Sequence, residues 1–242
     1  MRKFLYKYIL ARFYHILFGT NVSINELDLS GKKCLCIAPH PDDESIGMGG
    51  TLAKYNENID VICMTDGSRA GSNLSKEELI KKRAEEFNNA MKIGNIKNHK
   101  MLNMPDKQLI VNAYDNQVDI SEYDYIFIPD ILDQHRDHKS VSAYINLLLK
   151  KKKHKKELKI AFYEVWQALA LPNYFVDITD VKEIKRNMIN AHESQVEDYD
   201  YTNKILALNF YRGLSKKREY AESFMVMDIK LFKKLSKVCS VI

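Results

Sequence analysis

The sequence predicts an α/β protein with a mostly parallel sheet covered on both faces by helices. Three observations carry that expectation. Short apolar runs recur along the chain, helical segments separate them, and the length suffices for one large core. The 242 residues are 45% hydrophobic, 10% aromatic and 29% charged. That balance suits a soluble globular domain and excludes global disorder, collagen-like repeats and a coiled-coil rod. Nine Gly and five Pro argue against a turn-rich all-β barrel.

The first segment, MRKFLYKYILARFYHILFG, interleaves Arg2, Lys3, Lys7 and Arg12 with Phe4, Leu5, Ile9, Phe13, Ile16 and Leu17 at helical spacing. Lys7 and Arg12 interrupt the apolar centre that a signal peptide needs. Residues 1–30 therefore read as an amphipathic helical extension and residues 31–242 as the main domain. The apolar face of the extension either packs on that domain or lies, through residues 1–20, on an anionic membrane surface.

Residues 32–38 form the first strand, which ends in Pro39-His40-Pro41-Asp42-Asp43-Glu44. The glycine-bearing Gly47-Met48-Gly49-Gly50 leads into a helix expected over 51–55. Residues 59–65 are a second strand, running into Asp66-Gly67-Ser68-Arg69-Ala70-Gly71. A helix spans about 75–93, with Ser75 and Glu78 as its capping box. Residues 123–129 are another buried-type strand, followed by Asp133-Gln134-His135-Arg136-Asp137-His138 and a helix over 140–149. The lysine run at 150–156 reads as solvated, not as a nucleic-acid contact. A strand over 159–165, a long helix from 181 to about 195, a further helical segment and a strand over 223–227 complete the pattern.

A net charge of +5, from 37 Lys+Arg against 32 Asp+Glu, permits an anionic substrate or surface without requiring nucleic acid. Cys34, Cys36, Cys63 and Cys239 form no CxxC pair and read as small core residues in a reducing compartment. The expected location is therefore the cytoplasm, at the inner face of the membrane if the extension binds lipid. No uncharged apolar stretch reaches the length of a spanning helix.

Both His/Asp clusters follow a hydrophobic strand directly. In an open parallel sheet, ligands bind beyond the carboxyl ends of the strands, so the two clusters are aimed into one crevice. His40 and Asp43, three apart around a turn, can converge on a cation. Asp42, adjacent to Asp43 and pointing elsewhere, is left beside it. His138 supplies a third ligand, giving two imidazoles and a carboxylate with positions open to water. Such a set suits catalytic zinc, which lowers the pKa of its water to about 7. Asp42 is then the candidate general base. His135 is free to meet a substrate carbonyl or oxyanion, and Asp137 to hold an imidazole N–H. His15, His99 and His154 read as surface or packing residues, and His192 is open.

Pro39-His40-Pro41-Asp42-Asp43-Glu44 with Gly47-Met48-Gly49-Gly50-Thr51, together with His135-Arg136-Asp137-His138, resembles the PIG-L/LmbE-like family of zinc-dependent N-deacetylases. The resemblance extends through Thr65-Asp66-Gly67, Arg83-x-x-Glu86, Pro105-Asp106 and His192-x-Ser194-Gln195, covering roughly residues 32–228. Pro39 stands where the family usually has Ala. The resemblance implies a Rossmann-like three-layer sandwich without a nucleotide, with zinc held by His40, Asp43 and His138. It also implies Asp42 as base and then acid, and His135 as oxyanion stabiliser oriented by Asp137. Fe2+, Co2+ or Mn2+ are alternatives to zinc. The implied substrate is an N-acetylglucosamine-type unit of a glycan, glycolipid or sugar conjugate. Arg69, Asp106, Glu164 and Arg212 are candidate sugar or phosphate contacts, each also open to a structural ion pair.

Other readings compete. Gly47-x-Gly49 after a strand suggests a dinucleotide site, but Leu52 occupies the third glycine position. Two His and one carboxylate also make the facial triad of an iron oxygenase. An amidase acting on a thiol-sugar conjugate is a further alternative. A non-catalytic, zinc-stabilised sugar-binding protein is the last, though it has no need of a spare base at Asp42.

Overall fold

The computed structural model describes residues 23–70, 73–106, 109, 118–197, 199–214 and 217–239. The expectations for residues 1–20 and His15 lie outside the described residues. Strands β1 (Asn25–Glu26), β2 (Cys34–Ala38), β3 (Ile59–Thr65) and β4 (His99–Met104) come from the first half of the chain. Strands β5 (Tyr125–Pro129), β6 (Lys159–Tyr163), β7 (Tyr174–Asp177) and β8 (Ala221–Asp228) follow. They form one sheet in the order β1-β7-β8-β6-β5-β2-β3-β4. Only β8 runs against its neighbours; the other pairings are parallel.

Alternation along the strands divides the core in two. Cys34 and Cys36 of β2 face one side with Val61, Cys63 and Phe127, and Leu35 and Ile37 face the other with Ile62, Ile126 and Ile128. The first face is covered by helices α1 (Asp43–Lys54), α2 (Lys76–Ile93) and α4 (Lys182–Asn190), through Leu52, Phe87 and Met188. The second is covered by α3 (Arg136–Lys151) and α7 (Ile229–Cys239), through Val141, Leu148 and Phe232. This is the expected three-layer α/β sandwich. The short α5 (Glu193–Val196) and α6 (Tyr201–Gly213) complete the α-helices among the described residues. Cys34, Cys36 and Cys63 are buried and free, and burial pushes the Cys34 thiol up to about 12, so it is an inert core residue.

Several elements depart from the sequence expectation. Strands β1, β4 and β7 add to the expected set; each is short or polar and lies at or near a sheet edge, where the hydrophobic signal is weak. Residues 25–29 join the fold: Asn25 and Glu26 pair with β7, and Leu27 and Leu29 enter the core. Helix α1 begins at Asp43 instead of residue 51, so the glycines are helical. The reason is close packing: a Cβ on Gly47 would sit 2.2 Å from the Tyr163 ring, and one on Gly50 would sit 2.7 Å from Ile178. The single helix expected over 181–195 is broken at Ala191 and His192, where His192 turns to φ −86°, ψ 56°.

Helix α1 is kinked at Met48, at φ −147°, ψ 25°. The kink frees N–H groups that an unbroken helix would satisfy. Glu222 of β8 takes them, accepting from Gly50 N at 2.9 Å, Thr51 N at 2.7 Å and Thr51 Oγ1 at 2.6 Å. Lys185 of α4 completes the group by donating to Glu222 at 2.6 Å, with both side chains fully buried.

Candidate metal and catalytic site

The chain runs from β2 outward to β3 and β4 on one side, and β5 and β6 lie on the other. The reversal opens a crevice beyond the carboxyl ends of β2 and β5. Both predicted clusters occupy it. His40 and Asp42 follow β2, Asp43 opens α1, and His135 is the N-cap of α3, its ring accepting from Asp137 N.

Asp43 is the centre of the arrangement. Its Oδ2 lies 3.1 Å from His40 Nδ1 and 3.2 Å from His138 Nε2, and it accepts the His40 main-chain N–H at 2.9 Å. Burial opposes ionisation of Asp43, yet His138 and His40 hold its carboxyl well below the usual range. Burial likewise works against a charge on His138, but Asp43 and Asp133 outweigh it and raise that imidazole to about 9. His40 is raised in the same way, against burial, by Asp106, Asp137 and Asp43. The carboxylates therefore demand positive charge in the crevice.

That demand is the first test of a metal. The second is that neither ring nitrogen of the buried His138 makes an aligned hydrogen bond, although Nε2 lies 3.2 Å from Asp43 and Nδ1 lies 3.1 Å from Asp133. An imidazole with neither nitrogen aligned on an acceptor, beside a second imidazole and a shared carboxylate oxygen, fits a divalent ion. Among the described residues, His40, His135 and His138 bring candidate ligand atoms within 4.8 Å of one another, as do His40, Asp106 and Asp137.

Asp42 faces differently from Asp43, as adjacent residues at a turn should. It has φ 157° and ψ −28°, outside the ordinary α and β regions. Arg83 of α2 fixes it by donating from Nη2 to Asp42 Oδ2 at 2.9 Å and to Pro41 O at 2.8 Å. Burial pushes the Asp42 carboxyl up to about 6, against the pull of Arg83. Gly67 lets Arg83 through: its φ is +61°, and a Cβ there would lie 2.8 Å from the guanidinium. Glu44 adds a second brace, accepting from Asp42 N at 3.3 Å and from Ser45 Oγ at 2.8 Å.

The structure revises one expected contact. The Asp137 carboxylate lies against His40, with Oδ2 3.2 Å from Nε2. Toward His135 it is the Asp137 main-chain N that donates, to Nδ1 at 3.3 Å. His135 is thus oriented by the helix N-terminus that it caps. Because Nδ1 accepts, a neutral His135 carries its proton on Nε2. Burial and the charges on His40 and His138 lower its pKa.

The four expected substrate contacts divide into pairs. Arg69 and Asp106 line the same pocket of about 200 Å3 as His40, Asp42, Asp43 and His135. The Arg69 main-chain N donates to Asp106 Oδ2 at 3.0 Å, and Asp106 Oδ1 lies 3.4 Å from His40 Nε2. Glu164 and Arg212 are turned on one another as an ion pair, and Arg212 also donates to Leu169 O at 2.8 Å. The sequence marks Arg83, Glu86 and Glu44 only as positions of the family resemblance, and it gives Asp133 no individual role. Glu86 accepts from Ser194 N and Oγ, both at 2.7 Å, while buried His192 meets Ser45 Oγ at 3.2 Å. A signal existed: Arg83 and Glu86 share the buried stripe of α2 with Leu79, Phe87 and Ala90, where charge is out of place.

Fold and site together present a crevice fit for a metal ion, with a spare carboxylate beside it. Comparison with known proteins gives the family. Residues 35–148 match the family model described as PIG-L: GlcNAc-PI de-N-acetylase. The chain is 32% identical over 200 residues to the diacetylchitobiose deacetylase of Thermococcus kodakarensis, covering 71% of this chain and 73% of that protein. It is 30% identical to the Bacillus subtilis protein named probable N-acetyl-alpha-D-glucosaminyl L-malate deacetylase 2, covering 67% and 83%. The solved N,N′-diacetylchitobiose deacetylase from Pyrococcus horikoshii superposes with a TM-score of 0.65 at 27% identity, over 90% of this chain and 92% of that one. The chain belongs to the PIG-L family and is a hydrolytic N-deacetylase.

Proposed function

We propose that the protein removes the acetyl group from an N-acetylhexosamine unit of a glycan, glycolipid or sugar conjugate, with zinc held by His40, Asp43 and His138. One observation carries the assignment. Two adjacent aspartates divide the work, Asp43 sitting between two imidazoles while Asp42 is turned to Arg83. When bound, the ion supplies Lewis-acid polarisation of the amide carbonyl and makes a water acidic near neutral pH.

The chain's own residues supply the rest. Asp42 takes the proton of the attacking water and later delivers it to the leaving amine nitrogen, so acetate and a free amine result. Arg83 keeps the Asp42 carboxylate in one orientation through Oδ2 and leaves the other oxygen toward reactants. His135 donates Nε2–H to the carbonyl oxygen as negative charge builds there. Asp137 and Asp106 stand behind His40, and Asp133 lies behind His138, in the manner of carboxylates behind metal-binding imidazoles.

The deciding measurement is acetate released from a panel of N-acetylhexosamines, free and carrier-linked, by the metal-loaded protein. Release that stops on chelation and returns with zinc supports the reading; a loaded protein inert toward every member overturns it. His138→Ala should lose bound metal and turnover together, whereas His135→Ala should keep the metal.

Among the described residues no helix is long and apolar enough to cross a membrane. A cytoplasmic location remains part of this proposal, with residues 1–20 either packing on the domain or lying on anionic lipid. Flotation with anionic liposomes, before and after removal of those residues, tests it.

A further inference from the structure

The loop after β6 carries Trp166, the only tryptophan in the chain, 48% exposed on the wall of the pocket that holds His40, Asp42 and His135. Half-exposed indole is costly to leave in water, and this one is not on a loose tether. The Trp166 main-chain N donates to Asp133 at 3.3 Å, and Asp133 is the carboxylate that backs His138. Two residues earlier Glu164 pairs with Arg212 and accepts from Leu169 N at 2.7 Å, and Arg212 closes the loop onto Leu169 O. The loop backbone that carries the ring is therefore fixed relative to the catalytic groups.

The aromatic surface continues outward. Trp166 packs edge-on against Tyr201, with centroids 5.4 Å apart, and Tyr201 against Tyr199 at 4.7 Å. Lys204 Nζ lies 3.4 Å from the centre of the Tyr199 ring and holds it. Beyond Tyr199 lies a second cavity of about 340 Å3, lined by Arg186, Asn190 and Asn203 among others. The three rings thus bridge a catalytic pocket and a groove rich in hydrogen-bonding groups.

We propose that Trp166, Tyr201 and Tyr199 form a stacking platform for the sugar ring next to the one that loses its acetyl group. The preferred substrate is then an oligosaccharide of at least two pyranose rings; this deepens the deacetylation reading and rests on it. The catalytic pocket, at about 200 Å3, is smaller than the roughly 300–1,000 Å3 that encloses a drug-sized ligand. It accommodates one ring, and the neighbouring ring falls on the rim. A pyranose presents a C–H face to an aromatic plane and hydroxyls at its edge. Indole and phenol rings beside Arg and Asn groups meet both needs.

The test compares N-acetylglucosamine with N,N′-diacetylchitobiose on the metal-loaded protein. The disaccharide should have the higher kcat/KM. In Trp166→Ala the ratio of disaccharide to monosaccharide kcat/KM should fall by about fivefold to tenfold, mainly through KM, and Trp166→Phe should recover most of it. The sole tryptophan also reports directly: the disaccharide should change its fluorescence saturably, and the monosaccharide should change it far less. A selectivity ratio that survives Trp166→Ala overturns the platform. Acetate release from the disaccharide with unmoved tryptophan emission overturns it as well, while keeping the deacetylase. Saturable emission change without acetate release keeps the platform and overturns the deacetylase.

Discussion

Two buried carboxylate–cation pairs hold the N-terminus and the kinked middle of the same helix, and they differ in how completely they are satisfied. Glu222 receives four hydrogen bonds, from Gly50, Thr51 twice and Lys185, and has no capacity left for a reactant. Asp42 receives Arg83 on one oxygen, and its other oxygen has no partner among the described residues. Both carboxylates are buried, and Asp42 lines the pocket that holds His40 and His135. A buried charge with every acceptor filled fixes geometry, whereas one left part-filled at a cavity wall can exchange protons. Burial alone does not separate the two roles; residual valence does.

The comparison breaks if exchanging the groups gives similar phenotypes. Asp42→Asn should lower turnover about 10²- to 10⁴-fold, with metal content and melting temperature near those of the parent. Lys185→Met should do the reverse. Removing one partner of a buried pair strands Glu222 and costs about 3–5 kcal/mol of stability, read from urea unfolding, while specific activity per folded molecule is kept. Loss of turnover without loss of stability in Lys185→Met would contradict a purely structural role.

Arg83→Met sharpens the contrast. Its loss frees Asp42 to rotate and should cost about tenfold to hundredfold in kcat/KM. The pH profile gives the sign. A base must be ionised, so activity rises as pH climbs through the Asp42 pKa, and Arg83 favours the ionised form. Without the guanidinium that acid limb should move to higher pH; an unmoved limb would mean another group sets it.

The smallest effect concerns Asp130, a third buried carboxylate, which accepts from Leu132 N and faces the like charges of Asp133 and Glu164. Burial pushes it up to about 6. The folded state then binds a proton more tightly than the unfolded one, so ionised Asp130 costs stability above that pH and nothing below about 4. Asp130→Asn should stabilise the protein by about 1–3 kcal/mol at pH 8, and the gain should vanish near pH 4. An equal gain at both pH values would show that charge is not the cause.

How far the sequence reaches follows from where each signal lives. Strands β2, β3, β5 and β6 are legible because they are continuous apolar runs, and both His/Asp clusters because they directly follow two of them. Asp42 and Asp43 are separable in sequence because neighbours at a turn diverge. Strand β4, His-Lys-Met-Leu-Asn-Met, is half-exposed at the sheet edge, so its pattern carries little hydrophobic signal. The early start of α1 was hidden because glycine usually marks a loop; here it marks close approach to Tyr163 and Ile178. Arg83 reaches Asp42 across 41 residues, and Glu86 reaches Ser194 across 108. No local pattern encodes such pairings, although charges within a buried helical stripe announce that partners exist. The side to which Asp137 turns depends on the rotamers of His40 and His135, which sequence spacing does not fix.

The strand order leaves the sheet with unequal borders. One margin is Asn25–Glu26, two exposed residues long, and the other is β4 with His99 and Lys100 at its start. Neither offers the long, flat, apolar row of unpaired main-chain groups that recruits a strand from another molecule. Crowding at high expression should therefore favour dispersed enzyme over fibrous deposits.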